Sequence, residues 1–260
     1  MLLHFIQPYE EGPFAEFLKW LIENYDVVSY SEAVSRVVSG SPTRATAAIS
    51  FDDGLKDNLV AARIMEQHGV QGCFFVVPDI VGETDPGKLA KFCKERLLYN
   101  HTDSFMNWDD IVQLKKAGHE IGNHSQSHLY MMDLPENEFL AQVEQARDVI
   151  KSKLGEVKHF SWPYGRTWHF REEYVQRVFD LGHTSCASAE RGSHLLTSDS
   201  PLKSGEGFCL YRDSLEMNWP LQHCKYFLSK STHAPQPANR VRPKNLFASA
   251  PKTPTSGQKR

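Results

Sequence analysis

Short apolar segments alternate with amphipathic segments along the first 229 residues, and this alternation most constrains the fold. The run at 72–77 is continuously apolar, which is typical of a parallel strand buried on both faces. The segment at 135–154 has the spacing of an amphipathic helix. Strands that alternate with helices predict an α/β protein with mostly parallel strands. Six or seven such units without a glycine-rich phosphate loop favour a barrel over a dinucleotide-binding fold.

Apolar periodicity and turn residues together divide the chain into individual predicted elements. Strands are predicted at 2–6, 26–29, 46–51, 72–77, 119–123, 159–162, 184–187 and 208–211. Helices are predicted at 13–25, 57–68, 88–96, 107–117, 135–154, 172–181 and 219–229. A further helix is predicted to have Ser31 as its N-cap and to end before Gly40. The segment at 81–105 is irregular apart from the 88–96 helix.

The last thirty residues differ in composition from the rest of the chain. They hold five of the 14 prolines, six basic residues and no acidic one. We therefore predict one domain over 1–230 and a disordered, basic, proline-rich tail over 231–260. Removing those six from the 29 basic residues leaves 23 against 32 acidic residues in the domain. Such an acidic body is a poor partner for a phosphate backbone, so no nucleic-acid partner is expected.

The sequence also bears on the cellular compartment. No stretch approaches the roughly 20 apolar residues of a transmembrane helix. The N-terminal residues lack the basic region of a secretory signal. The five cysteines are odd in number and widely spaced, which favours reduced thiols over a disulfide framework. We expect a cytoplasmic protein on these grounds.

Two adjacent carboxylates and a pair of histidines each follow a predicted strand. Asp52 and Asp53 end the strand at 46–51, and His124 and His128 follow the strand at 119–123. One carboxylate and two imidazoles make a three-ligand metal set with open positions, as catalytic sites require. Asp52 would then remain free to move protons. The alternatives are an Asx-turn after a strand and two ordinary surface histidines.

A third candidate follows the strand at 159–162. In Trp162-Pro163-Tyr164-Gly165, proline and glycine set a tight turn that can aim a backbone N–H into a site as an oxyanion donor. An ordinary loop fits the same letters. The three tryptophans at 162, 168 and 219 could stack against a sugar ring or belong to the core.

Together these segments resemble the motifs of the polysaccharide deacetylases, the NodB-homology group also called carbohydrate esterase family 4. The resembling motifs are Ser50-Phe51-Asp52-Asp53-Gly54, His124-Ser125-Gln126-Ser127-His128 and Trp162-Pro163-Tyr164-Gly165, with support from 2–6 and 118–123. The resemblance covers about residues 1–229. It implies a distorted (β/α) barrel of about seven strands and a divalent metal, most often zinc.

The resemblance also implies a reaction and roles for residues. The reaction would be hydrolysis of an N-acetyl group of an amino sugar by metal-activated water. Asp53, His124 and His128 would be the metal ligands, and Asp52 the base. The backbone N–H of Tyr164 would hold the oxyanion, while Pro163, Gly165 and Trp162 would contact the substrate.

The chain departs from the family pattern at two positions. The arginine that often opens the third motif and pairs with the base is Ser161 here, so Arg191 or Arg212 would have to supply its charge. The histidine of the late Leu-x-His motif has no clear counterpart. Leu221-Gln222-His223 fits the letters, but it lies in a predicted helix. His4 is our first candidate for the acid that protonates the leaving amine, and His183 is the second.

Three functions remain open at this point. The preferred one is an N-deacetylase acting on a cell-surface polysaccharide or its precursor, which could be nucleotide- or lipid-linked. A deformylase or another amide deacylase on the same barrel would use the same residues, because metal and base meet only the carbonyl. An inactive barrel that binds glycan or serves as a scaffold would explain the two departures.

Overall fold

The computed structural model describes residues 1–39, 45–194 and 206–233. The strands are β1 Leu2–Leu3, β2 Asp26–Val27, β3 Thr46–Ala47, β4 Ile49–Phe51, β5 Gly72–Val76, β6 Glu120–Asn123, β7 His159–Ser161, β8 Ser185–Ala187 and β9 Cys209–Leu210. The α-helices are α1 Glu11–Asn24, α2 Tyr30–Ser39, α3 Asn58–Gln67, α4 Pro86–Phe92, α5 Trp108–Lys116, α6 Glu136–Leu154, α7 Glu172–Asp180 and α8 Leu221–His233.

Seven of the strands form one parallel sheet in the order β1-β4-β5-β6-β7-β8-β9, and β2 pairs with β3 separately. Within the sheet, strand order follows chain order, so the sheet curls into a half-barrel. Two hydrogen bonds also join β1 to the segment that follows β9: the Leu2 N–H donates to the Asp213 carbonyl (2.9 Å) and the Leu215 N–H donates to the Leu2 carbonyl (3.0 Å). The α/β barrel prediction is confirmed.

The helices cover the sheet with the apolar faces that their periodicity predicts. On α1, Phe14, Phe17, Leu18 and Leu21 are buried, and the largest cluster of the core joins them to β4 and β5. A second cluster packs α6 and α7 against β7 and β8. All candidate catalytic motifs follow the carboxyl ends of strands, which is where parallel sheets gather their chemistry.

The structure corrects two boundaries. Helix α2 begins at Tyr30, and the hydroxyl of Ser29 accepts a hydrogen bond from the Glu32 N–H (3.2 Å). Ser29 therefore caps this helix, and the prediction of Ser31 as the N-cap was wrong. The Ser31 N–H and hydroxyl donate instead to Glu120 on β6. Helix α8 continues to His233, where Ser231 donates to Asp213 (2.9 Å). Residues 231–233 thus continue helix α8, and the remainder of the predicted tail lies outside the described residues.

The membrane prediction concerns helix length and polarity. Across 1–39, 45–194 and 206–233, no helix combines the length and the apolar character that crossing a membrane requires.

Candidate active site

The side chains of Asp53, His124 and His128 converge at the carboxyl edge of the sheet, and all three are buried. Asp53 Oδ1 lies 3.4 Å from His124 Nε2 and 3.3 Å from His128 Nε2. The opposite ring nitrogens face backbone carbonyls: His124 Nδ1 is 2.7 Å from the Ser161 oxygen and His128 Nδ1 is 3.0 Å from the Arg96 oxygen. Each Nδ1 can therefore donate its proton to a carbonyl while Nε2 keeps a lone pair directed at Asp53.

This spacing fits a metal ion better than it fits hydrogen bonds. Ligands that bind a tetrahedral zinc ion at about 2.0–2.1 Å are themselves about 3.3–3.4 Å apart. A charge-assisted hydrogen bond between imidazolium and carboxylate would bring the atoms to roughly 2.7–2.9 Å. The donor set, two imidazole nitrogens and one carboxylate oxygen, is also one that zinc accepts. The three residues therefore form a candidate metal site.

The electrostatics of the three residues also suit a cation. Burial raises the pKa of Asp53, but the polar contacts with His124 and His128 outweigh burial and hold the pKa well below its ordinary value. Burial lowers the pKa of His128, which favours the neutral ring that can bind a metal. For His124, burial is outweighed by the charge of Asp52 and by Asp53, so its pKa is raised. A cation bound here would offset the negative charge of Asp52 and Asp53, which otherwise favours protonation of His124.

Asp52 has a different partner. Arg212 donates from Nη1 to Asp52 Oδ1 and from Nη2 to Asp52 Oδ2, each at 2.8 Å, and both residues are buried. Burial raises the pKa of Asp52, but the charge of Arg212 and then that of His124 outweigh it, so the pKa is lowered. The carboxylate is therefore ionised and held in one orientation beside the metal site.

All five N–H groups of the Arg212 guanidinium have acceptors. Besides the two bonds to Asp52, Nε donates to the Ser188 carbonyl (2.7 Å), Nη1 to Ser50 Oγ (3.1 Å) and Nη2 to Ser161 Oγ (2.6 Å). Ser161 in turn donates to Asp52 Oδ2 at 3.2 Å. Ser161, which stands where the family pattern has an arginine, thus helps to bind Arg212, an arginine that follows a different strand.

Backbone strain is concentrated around the same site. The described non-glycine residues with positive φ are Asp53 (74°), Leu98 (60°), Ser125 (66°), His128 (52°) and Tyr164 (62°). Such conformations cost roughly 1–3 kcal/mol each and persist where the surrounding structure imposes them. All of them except Leu98 lie in the turns of the three motifs. Leu98 precedes Tyr99, whose hydroxyl contacts Asp53.

A cavity of about 450 Å³ opens onto these residues. Its lining includes Asp52, Asp53, His124, His128, Tyr164, Gly165, His4, Tyr99, Glu10 and the segment 215–218. No described hydrogen bond engages the backbone N–H of Tyr164. A second cavity, of about 380 Å³, lies beside the β2–β3 pair and contains none of the candidate metal ligands.

A family model described as polysaccharide deacetylase matches residues 39–185. The chain belongs to the polysaccharide deacetylase family. This confirms the resemblance of the motifs. Peptidoglycan-N-acetylglucosamine deacetylase of Bacillus cereus is 26% identical over 141 residues, which are 53% of this chain and 42% of that protein. The matched part of the chain therefore spans less than half the length of that curated relative.

Two solved structures share the fold. The Streptococcus pyogenes deacetylase PplD, in complex with acetate, has a TM-score of 0.64 at 14% identity, covering 87% of this chain and 94% of its own. IcaB from Ammonifex degensii has a TM-score of 0.67 at 16% identity, covering 87% of this chain and 95% of its own. At these identities the likeness shows only that the chain shares this fold.

The structure places the three candidates for the leaving-group acid in different surroundings. His4 follows β1 and lines the cavity. His183 precedes β8 and is buried between Asn123 and the Val178 carbonyl. It is not among the described residues that line the cavity, so its prediction as the acid was wrong. His223 is exposed on α8, as the predicted helix implied.

Of the three predicted substrate contacts, one lines the cavity and two do not. Trp162 is fully buried and stacks on Phe170, with ring centroids 4.7 Å apart. It has no free face, so the sugar-stacking prediction for Trp162 was wrong and the core alternative holds. Pro163 is also buried and is not among the described residues that line the cavity, whereas Gly165 is.

Sequence reasoning missed several residues that the polysaccharide deacetylase fold brings to the cavity. Tyr99 comes from an irregular segment, Glu10 from the 3-10 turn before α1, and 215–218 follows the last strand. Arg212 was one of two candidates, and the other, Arg191, instead lies 4.5 Å from the ring centroid of Phe227. The sequence signal that could have identified Arg212 and 215–218 as site residues was their position after a predicted strand. No motif marked Tyr99.

Proposed function

We propose that this protein is a metal-dependent N-deacetylase of amino sugars. One observation carries the proposal: the candidate metal ligands share a cavity with a second buried carboxylate, Asp52, that an arginine holds ionised. The family supports carbohydrate deacetylation, and the site supports a metal as the means. Zinc is the metal we propose, because two imidazoles and one carboxylate oxygen are a common zinc set.

We assign the remaining roles by position in the cavity. A bound divalent cation lowers the pKa of a coordinated water and polarises the amide carbonyl. Asp52 accepts the proton of the attacking water, and Arg212 keeps the carboxylate oriented for that transfer. The Tyr164 N–H donates to the developing oxyanion, a contribution of about 3–4 kcal/mol for comparable donors. His4 donates a proton to the leaving amine.

The charge of the cavity bears on the substrate. Two further carboxylates, Glu10 and Glu216, are among its lining residues, and no lysine or arginine is found among the described ones. Such a lining repels phosphate groups. We therefore propose a neutral acetylated sugar, as in a polysaccharide, rather than a nucleotide-linked precursor. All five cysteines are buried free thiols, which supports a reducing compartment as part of this proposal.

Acetate release tests the proposal. The zinc-loaded protein should release acetate from neutral N-acetylhexosamine oligomers and much less from a nucleotide-linked N-acetyl sugar. Mass spectrometry of the products identifies the acyl group, so a deformylase or another deacylase would be recognised. Absence of acetate release from a broad panel of acetylated sugars, with zinc bound, would refute the proposed reaction.

Two variants distinguish the proposed base, Asp52, from the proposed metal ligands. Asp52→Asn should keep zinc and lose turnover, because it removes only the proton acceptor. His128→Ala should lose both, because it removes a ligand. Metal content measured by mass spectrometry, beside acetate release, distinguishes them. An active Asp52→Asn variant would show that another group is the base, and a purified protein that binds no metal would favour an inactive barrel.

A further inference from the structure

The segment Cys93–Tyr99 crosses the metal site from outside the three motifs. It consists of a π-helix, Cys93–Leu97, followed by Leu98 in a left-handed conformation (φ 60°) and Tyr99. Cys93 and Leu97 are buried in a cluster with Leu55, Val77, Ile80 and Phe105, which anchors the segment to the barrel. Wide helical turns of this kind are frequent at functional sites.

Three contacts join this segment to residues of the site. The Tyr99 hydroxyl donates to Asp53 Oδ2 at 2.9 Å. The Arg96 carbonyl accepts from the Tyr164 hydroxyl at 2.6 Å and lies 3.0 Å from His128 Nδ1. A single short segment therefore contacts two of the three candidate metal ligands and the turn that carries Tyr164.

The bond from Tyr99 distinguishes the two oxygens of Asp53. Oδ2 is engaged by the hydroxyl, whereas Oδ1 is the oxygen that faces both imidazole nitrogens, at 3.4 Å from His124 Nε2 and 3.3 Å from His128 Nε2. We infer that Tyr99 is a positioning residue that holds Asp53 as a one-oxygen metal ligand and thereby sets the affinity of the site. This inference rests on the proposed metal-dependent function.

Tyr99 is itself held in place, as a positioning residue requires. Its N–H donates to the Cys93 carbonyl at 2.9 Å. Its ring stacks on His101 with centroids 5.3 Å apart and an interplanar angle of 3°, and packs against Phe5 at 5.2 Å. The direction of the bond to Asp53 is fixed, because a carboxylate oxygen can only accept and the Tyr99 hydroxyl must donate.

A zinc titration of the whole protein, without substrate, tests the inference. Tyr99→Phe removes the hydroxyl and keeps the ring, so Asp53 is free to rotate or to bind through both oxygens. Loss of such an outer contact typically weakens metal binding by about 10- to 100-fold. Competition against a chelating indicator measures this change. The cobalt-substituted variant should also show an altered visible absorption spectrum, because the ligand geometry around the metal changes.

Tyr174→Phe is the matched control. The Tyr174 hydroxyl also donates to a single acceptor, the Leu134 carbonyl (2.9 Å), but that contact lies in the cluster around α6 and α7. Its zinc affinity and cobalt spectrum should equal those of the unaltered protein. A Tyr99→Phe variant with unchanged affinity and spectrum would overturn the inference while leaving the proposed function intact. Failure of the unaltered protein to bind zinc would instead overturn the proposed function, and this inference with it.

Discussion

Arg212 and Asp52 form a fully buried ion pair whose every guanidinium N–H has an acceptor. Desolvating two charges is expensive, and their attraction repays this only with good geometry and additional hydrogen bonds. Here the hydroxyls of Ser50 and Ser161 provide those bonds. The pair therefore serves orientation and charge at the site more than it serves stability.

Removing one partner should nevertheless destabilise the protein. Arg212→Met should lower the free energy of unfolding by about 3–5 kcal/mol, because it leaves the Asp52 charge buried without compensation. Arg212→Lys should lower the free energy of unfolding less, since the charge remains and only the bidentate hydrogen bonding is lost. Urea unfolding at pH 7 measures both.

Arg63→Met is the control for this comparison. Arg63 pairs with Glu11 at 2.7 Å on the surface, and its side chain is 55% exposed. Its urea midpoint should stay close to that of the unaltered protein. Equal midpoints for Arg212→Met and Arg63→Met would contradict the importance of the buried pair.

The sequence predicts site residues well where they follow a strand in a local motif. Asp52, Asp53, His124 and His128 satisfy this condition, and the structure brings them together. Arg212 and Tyr99 reach Asp52 and Asp53 from 160 and 46 residues away. Spacing along the chain carries no information about such contacts, because they depend on how the sheet curls and how an irregular segment crosses it.

At the scale of elements, predicted boundaries are mostly within a few residues of the observed ones. The exceptions are informative. Strand β1 ends at Leu3 although apolar residues continue to Ile6, because His4 and Phe5 leave the sheet to line the cavity. The irregular region after β5 contains a π-helix, whose hydrogen-bond pattern leaves no distinct apolar period in the sequence.

A polar network joins four elements at the end of the barrel away from the cavity. Glu120 on β6 accepts from the Ser31 N–H of α2 at 2.9 Å and from the Ser31 hydroxyl. His159 on β7 lies 3.1 Å from the same carboxylate and 2.9 Å from the hydroxyl of Ser185 on β8. Burial raises the pKa of Glu120, but the bonds with His159 and Ser31 outweigh burial and lower the pKa to about 2.

This network should make stability depend on pH in acid. The Glu120 pKa is lower in the folded chain than its ordinary value of 4.5, so its contribution is complete above pH 4.5. It is lost as the pH falls from 4.5 towards 2, and amounts to about 3 kcal/mol. Glu120→Gln should therefore unfold more easily at pH 7 and show a flatter decline of unfolding free energy over that range.

Denaturant unfolding at several pH values between 2 and 7 checks this expectation. Glu138→Gln, an exposed position on α6, should reproduce the pH profile of the unaltered protein. Parallel profiles for Glu120→Gln and the unaltered protein would show that the network does not carry the pH dependence.

At the scale of the whole molecule, the core and the candidate metal site are separate sources of stability. The apolar clusters pack helices onto the sheet, while the metal ligands lie in turns beyond the strand ends. The barrel should consequently stay folded without metal and gain stability when metal binds. A ligand present at 100 times its dissociation constant adds about 2.7 kcal/mol.

Zinc at that excess should raise the melting temperature by roughly 5–10 °C over the chelator-treated protein, given about 2–4 °C per kcal/mol for a domain of this size. Thermal melts with and without zinc measure the shift. His128→Ala supplies the comparison, because without this ligand the melt should respond little to zinc. An unaltered protein that melts at one temperature in both conditions would argue against a metal site.

The buried arginine belongs to the last strand end of the barrel, whereas its carboxylate partner follows one of the first strands. During synthesis, the chain must therefore expose Asp52 and Asp53 for 160 further residues before Arg212 emerges. Closing so long a loop is entropically slow, so this contact should be among the last to form. Under the proposed function, a nascent or partly folded chain thus lacks an oriented base, and the protein should become active only once this contact has formed.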